Sequence, residues 1–377
     1  MIYLDNAATT KAYKSAADIA AKYYTDCFFN PSALYSHALD VGNDIAAATE
    51  KLARLFGADK TEIVYTSCAT ESNNFALECG YKNKKGNLVI SGGEHASVYE
   101  AAMKLKNSGR DVRIVPLDKS GSVDTNKLIA AVDSNTALVS VLHCSNETGA
   151  VNDVKELCRA VKLKNKNAVF HSDGVQAAGK HKIDLHALGI DLYSISAHKI
   201  GGLKGIGALF IKKGFNMQPL IVGGGQQGGR RSGTENVGGI ISFAEAAERY
   251  IDGAKSFDAA AMRQYMAGEI LSEINFATIN GSKKNNSGYI LSLSFDGIKG
   301  EVLSHLLEEK NIIVGLGAAC STHAKQSRVL AQLGLSAKQA DGSIRISFCP
   351  ENTFDEIKYA TTEIISAAKY LKDKIDG

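Results

Sequence analysis

The stretch Ser194 to Gly207 places Ser196, His198 and Lys199 at the end of an apolar run, Asp191 to Ile195, and follows them with a glycine-rich turn. That is the pattern of a strand ending in reactive groups. A lysine held there beside other cationic or hydrogen-bonding groups can keep its amine partly neutral, the state required to form a Schiff base with an aldehyde. Pyridoxal 5'-phosphate is the aldehyde cofactor such a lysine suits. Its ring needs a carboxylate at the pyridinium nitrogen, so that it can accept the electrons left when a bond at a substrate's α-carbon breaks. A second apolar run, Ala168 to Ser172, leads directly into Asp173, with Gln176 three residues later. Asp173 is the candidate for that carboxylate.

Three more runs end in the same way. Asn87 to Ile90 leads into Ser91-Gly92-Gly93-Glu94-His95, Ala137 to Leu142 into His143-Cys144-Ser145-Asn146-Glu147-Thr148-Gly149, and Glu62 to Tyr65 into Thr66 to Asn73. The last of these sets small hydroxylated residues before a helical stretch, around Ala69 and Thr70. Free backbone N–H groups and the positive end of the helix dipole make such a turn an anion site suited to a phosphate. Open α/β sheets bind their ligands at the carboxyl ends of their strands, where all five runs carry polar or ionisable groups. Each member also has an ordinary reading: Asp173 as a helix N-cap, His95 as a satisfied loop histidine, Thr70 as a capping residue. Their joint recurrence in strand–turn–helix units favours a site.

These residues must be held by alternating elements. Strands and helices alternate from about Ala16 to about Gly239, as a mostly parallel sheet with crossover helices demands. A long helical stretch follows, from Gly239 to Ile274. Then come a strand from Tyr289 to Phe295, a helix from Gly300 to Glu309, a strand from Asn311 to Val314, a helix from Ser327 to Leu333, a strand from Ser343 to Phe348 and a helix from Thr353 to Ile375. This reads as a second, smaller α/β unit. The glycines at 223–225 and 228–229 belong to a loop rather than a linker, because polar chemistry lies among them.

Composition narrows the classes. The chain has 377 residues, 45% hydrophobic and 22% charged, ordinary values for a globular protein. Its 43 basic and 40 acidic residues leave a net charge of +3, which argues against a dedicated nucleic-acid binder. No apolar stretch approaches a membrane-spanning length, and Met1-Ile2-Tyr3-Leu4-Asp5 lacks the basic and hydrophobic regions of a secretion signal, so a cytoplasmic protein is expected. No phosphate-binding G-x-x-x-x-G-K-[ST] motif is present.

Seven cysteines pose a second chemical question: Cys27, Cys68, Cys79, Cys144, Cys158, Cys320 and Cys349. None forms a C-x-x-C pair and no Cys/His spacing suggests zinc, so no metal is expected. Most read as small buried hydrophobes. Cys320 differs: it lies between Val314-Gly315-Leu316-Gly317-Ala318-Ala319 and Ser321-Thr322-His323-Ala324-Lys325, a glycine-bearing turn with basic residues just beyond. Such a setting favours mobility and a depressed thiol pKa, which a nucleophilic cysteine needs.

In this order the motifs resemble the cysteine desulfurases, pyridoxal-phosphate enzymes of the class V aminotransferase family with the type I fold. The resemblance runs from Ile2-Tyr3-Leu4-Asp5-Asn6-Ala7-Ala8-Thr9-Thr10 through Phe29-Asn30-Pro31-Ser32, Thr70-Glu71-Ser72-Asn73-Asn74, Glu94-His95, Asn146-Glu147-Thr148-Gly149, Asp173 with Gln176, and Ser196-Ala197-His198-Lys199. It continues through Gly223-Gly224-Gly225-Gln226, Arg230 to Asn236, Ala318-Ala319-Cys320-Ser321 and Ser343-Ile344-Arg345-Ile346-Ser347.

The resemblance implies a large domain, residues 14–250, built on a mostly parallel sheet. It also implies a small domain, residues 1–13 and 251–377, carrying the catalytic cysteine. Lys199 would hold the cofactor aldehyde, Asp173 its ring nitrogen, Gln176 its phenolic oxygen and His95 its ring face. Ala69, Thr70, Ser196 and His198 would hold its phosphate, with Thr234 arriving from the neighbouring subunit of a homodimer with shared active sites. Asn146 and Arg345 would grip the substrate carboxylate, a task the planar arginine fork suits. Without the resemblance, Arg345 would be read as a surface strand residue.

The activity implied is conversion of L-cysteine to L-alanine. Lys199 would move the α-proton, His95 would exchange a proton, and Cys320 would take the sulfur as a persulfide. The sulfur would pass to an acceptor protein, an iron–sulfur cluster assembly scaffold or a tRNA thiolation enzyme. The alternatives are a selenocysteine lyase or another class V enzyme, and a non-catalytic sulfur-assembly scaffold. Cys320 favours sulfur or selenium chemistry over transamination, and a scaffold has no use for Lys199, Asp173, Cys320 and Arg345 together. The chain departs from the common pattern at Cys68, where glycine is usual and a thiol would crowd the phosphate site. It departs again at Cys144-Ser145, at Gly317-Ala318-Ala319-Cys320, and at Thr322 to Ser327, which lacks the usual Glu-Pro.

Overall fold

The alternating runs close into two sheets. The computed structural model describes residues 1–83, 85–282, 285–317 and 327–376. Seven strands form the larger sheet in the order Ile63–Thr66, Gly207–Ile211, Leu192–Ser196, Val169–Asp173, Thr136–Ser140, Asn87–Ser91, Val112–Val115. Every pairing is parallel except the two made by Gly207–Ile211. Two antiparallel steps restore direction, so Ile63–Thr66 runs parallel to Leu192–Ser196 and ends on the same edge. The central strands are buried along their whole length, which explains why they read as continuous apolar runs rather than as alternating ones. Helices cover both faces. Val154–Lys164 is typical: the Asp153 side chain caps it by accepting from Glu156 N, and Val154, Leu157, Cys158 and Val161 form its buried stripe.

The smaller sheet has five strands, ordered Ile2–Leu4, Ile312–Leu316, Ser343–Ser347, Ile290–Phe295, Ala277–Ile279. The first strand of the chain pairs in parallel with Ile312–Leu316, and the other pairings are antiparallel. Leu4 shares one apolar cluster with Leu291, Leu293, Ile344, Ile346 and Ile357. Joining the first residues to the last third of the chain brings Asp5 and Arg345 together.

Some sequence expectations need correction. The single helical stretch from Gly239 to Ile274 is two helices, Val237–Lys255 and Ala259–Glu273, because Asp258 caps a new start by accepting from Ala261 N. The strands Val112–Val115, Gly207–Ile211 and Ala277–Ile279 and the helix Ala337–Asp341 are additions to the sequence reading. No helix among the described residues is long and apolar enough to cross a membrane.

Beneath the binding edge, His171 is fully buried between Ser140 Oγ at 2.9 Å and Ser194 Oγ at 3.1 Å. Burial pushes its pKa down to about 3. An unfolded histidine titrates near 6.5, so below that pH the unfolded chain binds a proton the folded one refuses, and stability falls as pH drops. Urea midpoints measured from pH 6.5 to 4 should therefore fall more steeply for the wild type than for His171→Gln, by a slope equivalent to about one proton. Parallel slopes would show that His171 does not titrate this way.

Candidate active site

A cavity of about 510 Å³ opens where the larger sheet's carboxyl edge meets the smaller sheet. Ala69, Thr70, His95, Asn146, Asp173, Gln176, Ser196, His198, Lys199 and Arg345 all line it. Thr234 is exposed and is not among the lining residues. Cys320 lies outside the described residues. Asp5, Ala7, Ala8, Cys68, Ser97 and Gly315 also line the cavity.

The strand Leu192–Ser196 ends in a single 3₁₀ turn, Ala197–Lys199, which brings the lysine round to the cavity. Lys199 Nζ donates to Ala7 O at 2.7 Å and Ala8 O at 2.6 Å. Burial, and then Lys199, Lys204 and Lys180, lower the pKa of His198 to about 4, so its imidazole is neutral at neutral pH. Beside it, the buried Ser196 Oγ finds no hydrogen-bond partner among the described residues. The helix Ala69–Cys79 starts at this point, with Cys68 as its N-cap in an extended conformation.

Asp173 closes the strand Val169–Asp173 and is 2% exposed. Its two oxygens are fixed by Val175 N at 3.0 Å and Asn73 Nδ2 at 2.8 Å. The next residue has to be glycine: a Cβ on Gly174 would stand 1.9 Å from the Tyr193 ring. The Asn73 amide also donates to Ser97 Oγ at 2.8 Å, and Ser97 in turn holds His95. His95 caps the helix Ala96–Asn107, its Nδ1 accepting from Ser97 N at 3.1 Å. Because the backbone N–H can only donate, the proton of the neutral ring belongs on Nε2. The imidazole pKa is lowered, chiefly by burial and further by Lys199 and Arg328, against the opposing pull of Asp173. One buried amide thus orients both the acid and the imidazole, a role for Asn73 and Ser97 that sequence reasoning missed, although both lie within or next to the quoted motifs.

Arg345 is not the surface strand residue its alternating sequence suggests. Ser343–Ser347 is an inner strand of its sheet, and the side chain is 6% exposed. Nη1 donates to Asn146 O at 3.0 Å and Nη2 to Asp5 Oδ1 at 2.7 Å, whereas Nε has no partner among the described residues. Gly315 is what lets these groups approach, since a Cβ there would lie 2.4 Å from Asp5 Oδ1. A buried guanidinium with a spare donor, next to a cavity, suits a carboxylate ligand.

This donor set fits a phosphorylated pyridine aldehyde. It offers an amine, a carboxylate on the same sheet edge, an unpartnered serine hydroxyl at a helix N-terminus and a neutral imidazole. The described cysteines are free thiols. Burial pushes Cys144 and Cys158 up to about 11, as small apolar side chains with inert sulfur.

The pattern that defines the class-V aminotransferases matches residues 2–359. A cysteine desulfurase from Nostoc sp. (strain PCC 7120 / SAG 25.82 / UTEX 2576) is 34% identical over 380 residues, spanning 98% of this chain and 94% of its own length. Among solved structures, a NifS-like protein superposes with a TM-score of 0.90 at 34% identity, covering 98% of this chain and 100% of that one. SspA in complex with cysteine gives a TM-score of 0.79 at 31% identity, covering 94% and 100%. The chain therefore belongs to the class-V aminotransferase family, among the cysteine desulfurases.

Proposed function

We propose that the protein is a pyridoxal-phosphate-dependent cysteine desulfurase, which releases L-alanine from L-cysteine and holds the sulfur as a persulfide on Cys320. The observation that carries this reading is the convergence on one cavity of Lys199, Asp173 and an Arg345 whose Nε is unpartnered among the described residues. When bound, the cofactor supplies an electron sink for a bond broken at the substrate's α-carbon. Lys199 holds its aldehyde and moves the proton at that carbon. Asp173, fixed by Asn73 and Val175 N, keeps the ring nitrogen protonated. Gln176 would hold the phenolic oxygen, and His95 would lie against the ring and exchange protons through Nε2. Ala69, Thr70, Ser196 and His198 hold the phosphate.

Arg345 and Asn146 would fix the substrate carboxylate and so orient the substrate in the cavity. The Cys320 thiolate then attacks that sulfur. An S–S bond forms as the C–S bond breaks, and the carbon keeps the electron pair and is protonated to give alanine. The persulfide passes to an acceptor of the iron–sulfur scaffold or thiolation class.

We further propose two domains, residues 14–250 and residues 1–13 with 251–377, a division that the two sheets support. A homodimer with Thr234 entering the partner's site is supported by exposed apolar side chains at Phe28, Leu34, Tyr35, Leu39 and Val222. Free thiols suit a reducing cytoplasm. The test is alanine and sulfide release from L-cysteine by the purified protein with a thiol reductant, with the visible spectrum recorded in the same cuvette. A yellow protein releasing both products supports the reading. A colourless protein that pyridoxal phosphate cannot reconstitute overturns it.

A further inference from the structure

Lys180 is a buried lysine, 9% exposed, with no carboxylate paired to it among the described residues. Its one hydrogen bond there is to Gln176 Oε1 at 2.6 Å. The titratable groups around it are Cys144, Cys349, Arg345, His181 and His198, and none of them supplies a compensating carboxylate. Burial, partly offset by the thiols Cys144 and Cys349, lowers its pKa to about 8, so it still carries its proton at neutral pH. Leaving an ammonium this poorly compensated is unfavourable, and the one thing it grips is a residue of the cavity. The chain from Gly174 to His181 runs through successive turns, Ala178 N bonding Gly174 O and His181 N bonding Ala177 O with Gly179 left-handed at φ 73°, and these turns bring Lys180 back onto Gln176.

A primary amide can be flipped, exchanging its donor and acceptor ends. An ammonium only donates, so Gln176 must present its oxygen to Lys180 and its NH2 on the other side. That NH2 donates one proton to Ala7 O at 2.8 Å, and an amide nitrogen has two. We infer that Lys180 is a positioning residue that locks the Gln176 amide so that its second N–H faces the phenolic oxygen of the cofactor. This rests on the proposed pyridoxal-phosphate reading and deepens it. A donor aimed at the phenolic oxygen stabilises that oxygen as an anion and so lowers the pH at which the lysine–cofactor linkage loses its proton. Without Lys180 only the Ala7 carbonyl still selects this orientation, the amide is held less firmly against the phenolic oxygen, and the proton is retained to higher pH.

The test reads the pH midpoint of the bound cofactor's visible band in wild type, Lys180→Met, Gln176→Leu and the double variant, with Lys180→Gln as the neutral donor. Lys180→Met should raise the midpoint by roughly one pH unit. The double variant should match Gln176→Leu alone, because the lysine acts through the amide. Lys180→Gln should stay near the wild type, since its amide can still donate to Gln176. An unmoved midpoint in Lys180→Met, or an equal shift with Gln176 absent, overturns the inference. If Lys180→Met does not fold, Lys180→Gln decides: a full shift there means charge rather than donation matters, which also overturns it. A wild type that binds no pyridoxal phosphate overturns the functional reading itself, a different result from a yellow wild type with unmoved variants.

Discussion

Lys199→Ala is expected to abolish measurable alanine release, a loss of at least about 10³-fold, because in the proposed reaction one amine would both anchor the cofactor and move the α-proton. The structure explains why neither Lys180 nor Lys204 can substitute. Lys180 has its ammonium committed to Gln176, and Lys204 lies beyond the glycine turn and is absent from the cavity lining. The strand Leu192–Ser196 and its 3₁₀ turn deliver only position 199 to the carbonyls of Ala7 and Ala8. The variant should also hold pyridoxal phosphate without the covalent link, so gel filtration should strip a colour that the wild type retains. A Lys199→Ala protein with activity within tenfold of wild type and retained colour would remove this lysine from the mechanism.

The chemistry of the larger sheet was legible because each motif follows a buried strand, and an apolar run stopping at a polar residue marks a carboxyl end in one dimension. Asp173, His95 and Lys199 are all of this kind. Their supports were harder to read. Asn73 reaches both Asp173 and Ser97 across three elements, and Lys180 acts on Gln176 from inside the turn, so neither pairing has a sequence period. Arg345 illustrates the limit from the other side. Its strand alternates as a half-exposed strand would, yet Ile312–Leu316 and Ile290–Phe295 flank it and Asp5 comes from the far end of the chain. The break between Lys255 and Ala259 was missed because the residues between them, Ser256-Phe257-Asp258, contain neither proline nor glycine, and only the Asp258 cap marks the restart.

Cys320→Ala is expected to stop sulfur release altogether, at least about 10³-fold, while leaving the yellow cofactor and L-cysteine binding intact, because in the proposed reaction its thiolate would take the sulfur. The buried thiols are poor substitutes. Cys144 and Cys158 are held at about 11 by burial, and the Cys349 thiol is likewise raised by burial. Cys68 is the rival, since it lines the cavity at the start of the helix Ala69–Cys79. Sequence distance favours Cys320: the described chain lines the cavity as far as Leu316, and Cys320 follows only four residues later in the sequence. The two single variants separate these readings when persulfide is trapped with an alkylating probe and located by mass spectrometry. With Cys320 as acceptor, the Cys68→Ala protein still carries persulfide on the peptide holding Cys320, and the Cys320→Ala protein carries none anywhere. The reverse pattern would move the sulfur-accepting role to Cys68 and make its departure from glycine the functional feature of this chain.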